Sequence, residues 1–161
     1  MDVFYYWKDF DKDMRAGRIG YFASDRKKMA DIRLDYPDYI WAFHTPKGRK
    51  GELELVACLK WADSAATSVP RLTAKAVIYY DPKHPDSRRF LDANTEERIA
   101  EISSMIRREF PKAFAANFQG DNGLQPMRGD FLLRFRKLVE TFPSQPFLEA
   151  VPAEKPAAAS Q

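Results

Sequence analysis

Apolar and polar positions along this chain change their period near its middle. In the first half the apolar residues come in blocks too short to form a helical stripe: Val3 to Trp7, Arg18 to Ala23, Tyr39 to Phe43, Leu53 to Leu59 and Ala74 to Tyr80. Their aromatic and β-branched content predicts strands. The polar run Lys8 to Gly17 predicts a loop or one helical turn. Ser24 is placed to cap a short helix running to Ile32, with Asp25 in its first turn and Met29 and Ile32 three apart on one side. Lys47-Gly48-Arg49-Lys50-Gly51 suits a hairpin tip, because glycine supplies the positive φ that tight turns need. That hairpin would pair Tyr39 to Phe43 antiparallel with the strand starting near Leu53, where the alternation of Glu52-Leu53-Glu54-Leu55 gives way to a continuous apolar run.

Helical spacing takes over afterwards. Asn94 heads a capping-box pattern with Glu97 three residues on, and Ile99, Ile102, Ile106 and Phe110 recur on one side until Pro111. A second helix opens at Gly129-Asp130. There Phe131, Leu132, Phe135, Leu138, Val139 and Phe142 form one stripe, and Arg134, Arg136 and Lys137 are assigned to the solvated face, until Pro143. From Glu149 onward the chain is low in complexity and predicts a disordered tail over residues 149–161. Together these elements predict an α+β fold: one domain over residues 1–148, a small curved antiparallel sheet or β-barrel of roughly five strands, and two C-terminal helices packed on it.

Composition narrows the functional classes. At 45% apolar and 14% aromatic residues the chain is too apolar for disorder. It has no uninterrupted apolar run of membrane-spanning length and no basic-then-apolar leader, so a cytoplasmic location is expected. One cysteine, Cys58, forms no internal disulfide, and two histidines leave few ligands for a structural zinc; no cofactor or metal is expected. The net charge of +3 permits an anionic partner, and the basic excess lies in the first half.

Enzyme constellations are thin. Cys58 lies in an apolar strand, each histidine sits beside prolines, and no phosphate-cradling glycine loop occurs, so no catalytic residue is named. Asp9-x-Asp11-x-Asp13 lacks the turn glycine and closing glutamate of a calcium loop and predicts a solvated acidic turn. A metal-dependent nuclease would need an acid, a spacer and a strand-borne acid-x-lysine; Glu52-x-Glu54 and Asp81-Pro82-Lys83 are incomplete versions, which ranks that reading third.

Aromatic residues carry the leading reading. Trp7, Trp41 and Trp61 lie in or at the ends of strands, where indoles can stack on a flat base. Arg26, Lys27, Lys28 and Arg33 on the short helix, and Lys47, Arg49 and Lys50 on the hairpin, lie beside these rings, and of them Arg26, Lys27, Lys28, Arg49 and Lys50 are the candidate phosphate contacts. The combination points to a nucleic-acid partner, DNA or RNA, with a protein-interaction or accessory subunit as the alternative.

The order of elements from Val3 to Tyr80 resembles the PUA-like superfamily, and within it the EVE-type domains. The resemblance rests on the early strand ending in Tyr6-Trp7, the small helix from Ser24 to Ile32, the opening Asp38-Tyr39-Ile40-Trp41-Ala42-Phe43, and the returning strand from Leu53 to Leu59. It implies a small β-barrel with flanking helices that reads a flipped, often modified base in an aromatic pocket without catalysis. By position it implies Trp7, Ser24, Trp41 and Phe43 as pocket residues; in the leading reading Ser24 donates to the base edge from the helix start.

Overall fold

The computed structural model describes residues 1–24, 27–65, 76–90 and 93–148. The chain is α+β, with a curled half-barrel sheet covered by helices on both faces. Its strands are β1 (Asp2–Tyr6), β2 (Tyr21–Ser24), β3 (Tyr39–His44), β4 (Glu54–Ala62), β5 (Ala76–Asp81), β6 (Arg88–Arg89), β7 (Leu124–Met127) and β8 (Gln145–Pro146). Its helices are α1 (Phe10–Ala16), α2 (Lys27–Arg33), α3 (Glu96–Glu109), α4 (Pro111–Ala115) and α5 (Gly129–Val139). The main path of the sheet runs β2-β5-β4-β3-β1-β7, and β6 and β8 attach to it through β4.

The expected β3/β4 hairpin is present, with Tyr39 opposite Lys60 and Ala42 opposite Ala57. The sheet is not wholly antiparallel, because β1 runs parallel to β3, with Val3 opposite Ile40. The long connection that parallel neighbours require is supplied by α1, β2 and α2 in succession. Residues 10–16, predicted as a loop or a turn, form α1 on two buried side chains one turn apart, Phe10 and Met14.

Register follows the two-residue period of the strands. From β1 and β3, Val3, Tyr5, Ile40 and Ala42 join one layer with Phe22, Leu59, Trp61, Ile78 and the α1 and α2 side chains Met14, Met29 and Ile32. Their neighbours Phe4, Trp41 and Phe43 join the opposite layer with Leu55, Cys58, Ile102, Ile106, Phe131 and Phe135. Phe4 stacks on Phe43 with ring centres 4.6 Å apart. A bulge interrupts β4: Ala42 faces Ala57 but Phe43 faces Leu55, leaving Val56 unpaired with β3. The Val56 carbonyl accepts instead from Phe90 N at 3.0 Å, which fixes the segment following β6.

The helix starts differ from expectation: Ser24, expected to cap the short helix, ends β2 instead, and α2 begins at Lys27. Thr95, not Asn94, caps α3, its Oγ1 accepting from Arg98 N at 3.2 Å. Asn94 acts as a substitute strand partner: its Oδ1 accepts from Leu55 N at 3.2 Å and its Nδ2 donates to Leu55 O at 2.9 Å. Buried backbone groups need partners, and the side-chain amide supplies both at the open edge of β4. The proposed tail at 149–161 lies outside the described residues, and no helix among them is long and apolar enough to cross a membrane.

Candidate functional site

The β3–β4 connection forms one wall of a cleft furnished with both rings and polar groups. Two turns follow one another there: Arg49 N donates to Pro46 O at 3.0 Å and Glu52 N to Arg49 O at 3.1 Å. The third residue of each is a glycine with positive φ, Gly48 at 76° and Gly51 at 86°, as a type II turn requires. Lys47 and Lys50 therefore occupy equivalent corners of consecutive turns. Both are exposed, and neither has an ion-pair partner among the described residues. Arg49 lies between them with a different task. Its guanidinium holds Glu52 Oε1 at 2.7 Å and Oε2 at 2.9 Å and also reaches Glu96, tying the turn to the start of α3. Those carboxylates raise the Arg49 pKa above its ordinary value.

The cleft beside this loop encloses about 590 Å³. Tyr6, Phe114 and Phe118 supply its rings, Asn117 and Gln119 its side-chain amides, and Lys47 and Lys50 its rim. Tyr6 Oη shares a 2.8 Å hydrogen bond with Thr45 Oγ1, and its ring stacks on Phe118 at 5.3 Å. Asn117 and Phe118 both have positive φ, 54° and 56°. Two successive non-glycine residues in that region are strained, and the strain is sustained by burial of Phe118 against Phe4 and Tyr6.

The three tryptophans do not share a pocket. Trp7 is 1% exposed, boxed edge-to-face by Phe10 and Phe22, and donates to Asp13 Oδ2 at 2.8 Å. Asp13, read from sequence as part of a solvated turn, is thus the partner of a core indole. Trp61, 8% exposed, lies in the same layer and shows an edge to a second cleft with Leu34 and Tyr36; its Nε1 donates to Asp63 Oδ1 at 3.2 Å. Trp41, also 8% exposed, points to the other layer, edge-on to Phe135 at 5.0 Å. Phe43 is fully buried on that side.

Among the candidate cations, Lys28 donates to Gln125 Oε1 at 3.0 Å and Lys27 and Arg33 are exposed on α2. The Ser24 side chain and Arg26 lie outside the described residues. The structure therefore brings Arg49 and Lys50 together with Lys47, and separates them from Trp7 and Trp61.

Around Trp41 lies a group the periodicity assigned wrongly. Arg136 does not belong to a solvated face: its Nη2 donates to Asp2 Oδ1 at 2.7 Å and its Nε to Asp2 Oδ2 at 3.1 Å. Asp2 is 0% exposed and also accepts from Trp41 Nε1 at 2.7 Å. The carboxylate keeps the Arg136 pKa above its ordinary value. Nearby, Tyr39 donates to Asp86 Oδ2 at 2.7 Å, which pushes the phenol up to about 12. Cys58 is buried in this wall, and burial raises its thiol pKa strongly.

The acids of the nuclease reading are otherwise engaged. Glu52 is paired with Arg49, and Glu54 is half-buried, with desolvation and then Asp11 raising its pKa. Asp81 Oδ1 accepts from Lys83 N at 3.0 Å. Among the described residues no three His, Cys, Asp or Glu side chains gather as a metal site needs. His44 is half-buried and its pKa is lowered by desolvation.

Comparison with protein-family models, with curated proteins and with solved structures finds no match to this chain.

Proposed function

We propose that this chain is a non-enzymatic nucleic-acid-binding domain with a PUA-like half-barrel, and that the strand lies across the β3–β4 connection. One observation carries the reading: two lysines at equivalent turn corners, without ion-pair partners among the described residues, flank a cleft whose walls are aromatic rings and side-chain amides. Lysines that neutralise phosphates release counterions, and rings beside them hold an unpaired base by stacking, at about 1–3 kcal/mol per base. Asn117 and Gln119 supply both donors and acceptors for a base edge. In this reading the base meets the hairpin cleft rather than a cage of three indoles. The PUA-like assignment is supported by the curled sheet and by the order of its first five strands and two helices.

The test is an oligonucleotide titration across salt with the Lys47→Ala/Lys50→Ala double variant. Both positions are exposed, so folding is preserved. On single strands, losing two phosphate contacts lowers the slope of log K against log salt by about 1.4. An unchanged slope in the folded variant, or absence of wild-type binding at low salt, refutes the reading.

A protein-interaction role is the second reading, favoured by Leu34 and Tyr36, which are 75% and 72% exposed beside the Trp61 cleft. Its signature is a partner whose binding is insensitive to salt and abolished by Tyr36→Ala.

A further inference from the structure

We propose that Arg88 and Arg136 form a preset clamp for a phosphate group in the cleft beside Trp41, a site independent of the hairpin cleft. The cleft is shallow and open to solvent, with a volume of about 450 Å³, and is lined by both arginines together with Tyr39, Trp41, Cys58, Pro85 and Asp86. The arginines come from different parts of the chain, β6 and α5, and each is gripped along one side. Arg88 Nε donates to Ser144 Oγ at 3.1 Å and its Nη2 to Ser144 O at 3.0 Å. Arg136 donates through the same two nitrogens to Asp2, at 3.1 and 2.7 Å.

A side-on grip of this kind uses Nε and Nη2 and leaves Nη1. Neither arginine's Nη1 has a partner among the described residues. Both guanidiniums line the same cleft with their rotamers already fixed by the fold. Immobilising such a side chain during binding ordinarily costs about 0.5–1.5 kcal/mol, a cost the fold has largely met here. The planar guanidinium matches the spacing of phosphate oxygens better than a lysine does.

Cations at the cleft extend beyond the two arginines. Lys60 adds a third cation, its Nζ 4.8 Å from the centre of the Tyr39 ring. Against these stand Asp2 and Asp86, and Asp38 also acts on Arg136. Asp2 is wholly buried beneath Arg136, and Asp86 lines the cleft with Oδ2 accepting from Tyr39. Asp86 is the element that restrains phosphate affinity, and it makes the proposal testable in both directions.

The probe is inorganic phosphate, followed by the Trp41 indole Nε1–H resonance, whose hydrogen bond ends on the carboxylate that holds Arg136. Sodium chloride at matched ionic strength is the control. Phosphate shifts the resonance saturably and chloride does not. Arg88→Gln, which leaves the Asp2–Arg136 pair intact, weakens binding about tenfold, equivalent to one charge-assisted hydrogen bond. Asp86→Asn tightens it. Unchanged Trp7 and Trp61 indole signals verify that both variants are folded. Adenosine monophosphate binding more tightly than phosphate assigns the clamp to nucleotides, and equal affinity assigns it to free phosphate; both support the clamp. A shift shared by chloride, an Arg88→Gln variant that binds as wild type, or adenosine binding as tightly as its monophosphate overturns it.

Discussion

Arg136→Met removes the guanidinium that faces Asp2 while keeping a side chain long enough to cover Trp41. The carboxylate is 0% exposed and, among the described residues, retains only the Trp41 indole as a side-chain partner, so the variant buries a charge that has lost its counter-ion. Breaking a buried ion pair in this one-sided way costs about 3–5 kcal/mol. The Arg136 side chain is 40% exposed, so solvent already screens the pair and the loss falls to about 2–3 kcal/mol. With a urea dependence of about 2 kcal/mol per molar, the unfolding midpoint drops by about 1–1.5 M. Asp2→Asn keeps an acceptor for the indole and lets the half-exposed guanidinium hydrate, so its cost is smaller, about 1 kcal/mol. The double variant should be much less destabilised than the two changes added, a coupling of about 1.5 kcal/mol. Urea unfolding followed by tryptophan fluorescence and far-ultraviolet circular dichroism measures all four corners of the cycle. An Arg136→Met variant within about 0.5 kcal/mol of wild type, or strict additivity, refutes the argument.

Two further outcomes follow from burial. The Glu54 pKa is raised in the folded state by desolvation, so the stability it contributes is fully present below the unfolded carboxylate pKa and is lost as pH rises through the folded value. Glu54→Gln is therefore more stable than wild type at pH 8 and loses that advantage near pH 4, as thermal melts at the two pH values will show; a pH-independent difference contradicts it. Cys58 is buried with a raised thiol pKa, so a thiol reagent should modify it slowly in native protein and rapidly in urea. Equal rates would place the thiol at the surface.

Much of the fold was legible because long elements announce their period. The helices α3 and α5 have apolar stripes, and β3 and β4 are joined by a glycine-punctuated turn, so tertiary context had little to override. The short strands β6, β7 and β8 carry no such signal. Two or four residues have no measurable alternation, and their pairing is imposed by neighbours, as when the Val56 carbonyl binds Phe90 N. The site was legible only in its local part. Lys47, Arg49 and Lys50 are adjacent in sequence, and the turn keeps them together. The partition of the tryptophans was harder to read, although strand parity offered a clue: Trp41 alternates with Ile40 and Ala42, which places it opposite the layer those residues share. Asp2 and Arg136 gave no local signal, since 134 positions separate them and an arginine beside Arg134 and Lys137 looks like one more solvated charge.

The position of β1 has a consequence for synthesis. One of its edges is covered by β3 and the other only by β7, with Asp2 opposite Met127. A chain cut before residue 124 would carry β1 with a bare hydrogen-bonding edge and with the layer around Phe4 stripped of Met127, Phe131 and Phe135. Such an edge recruits other chains, so truncation products ending near residue 120 should be insoluble, while the intact protein shields the same strand by completing the sheet around it.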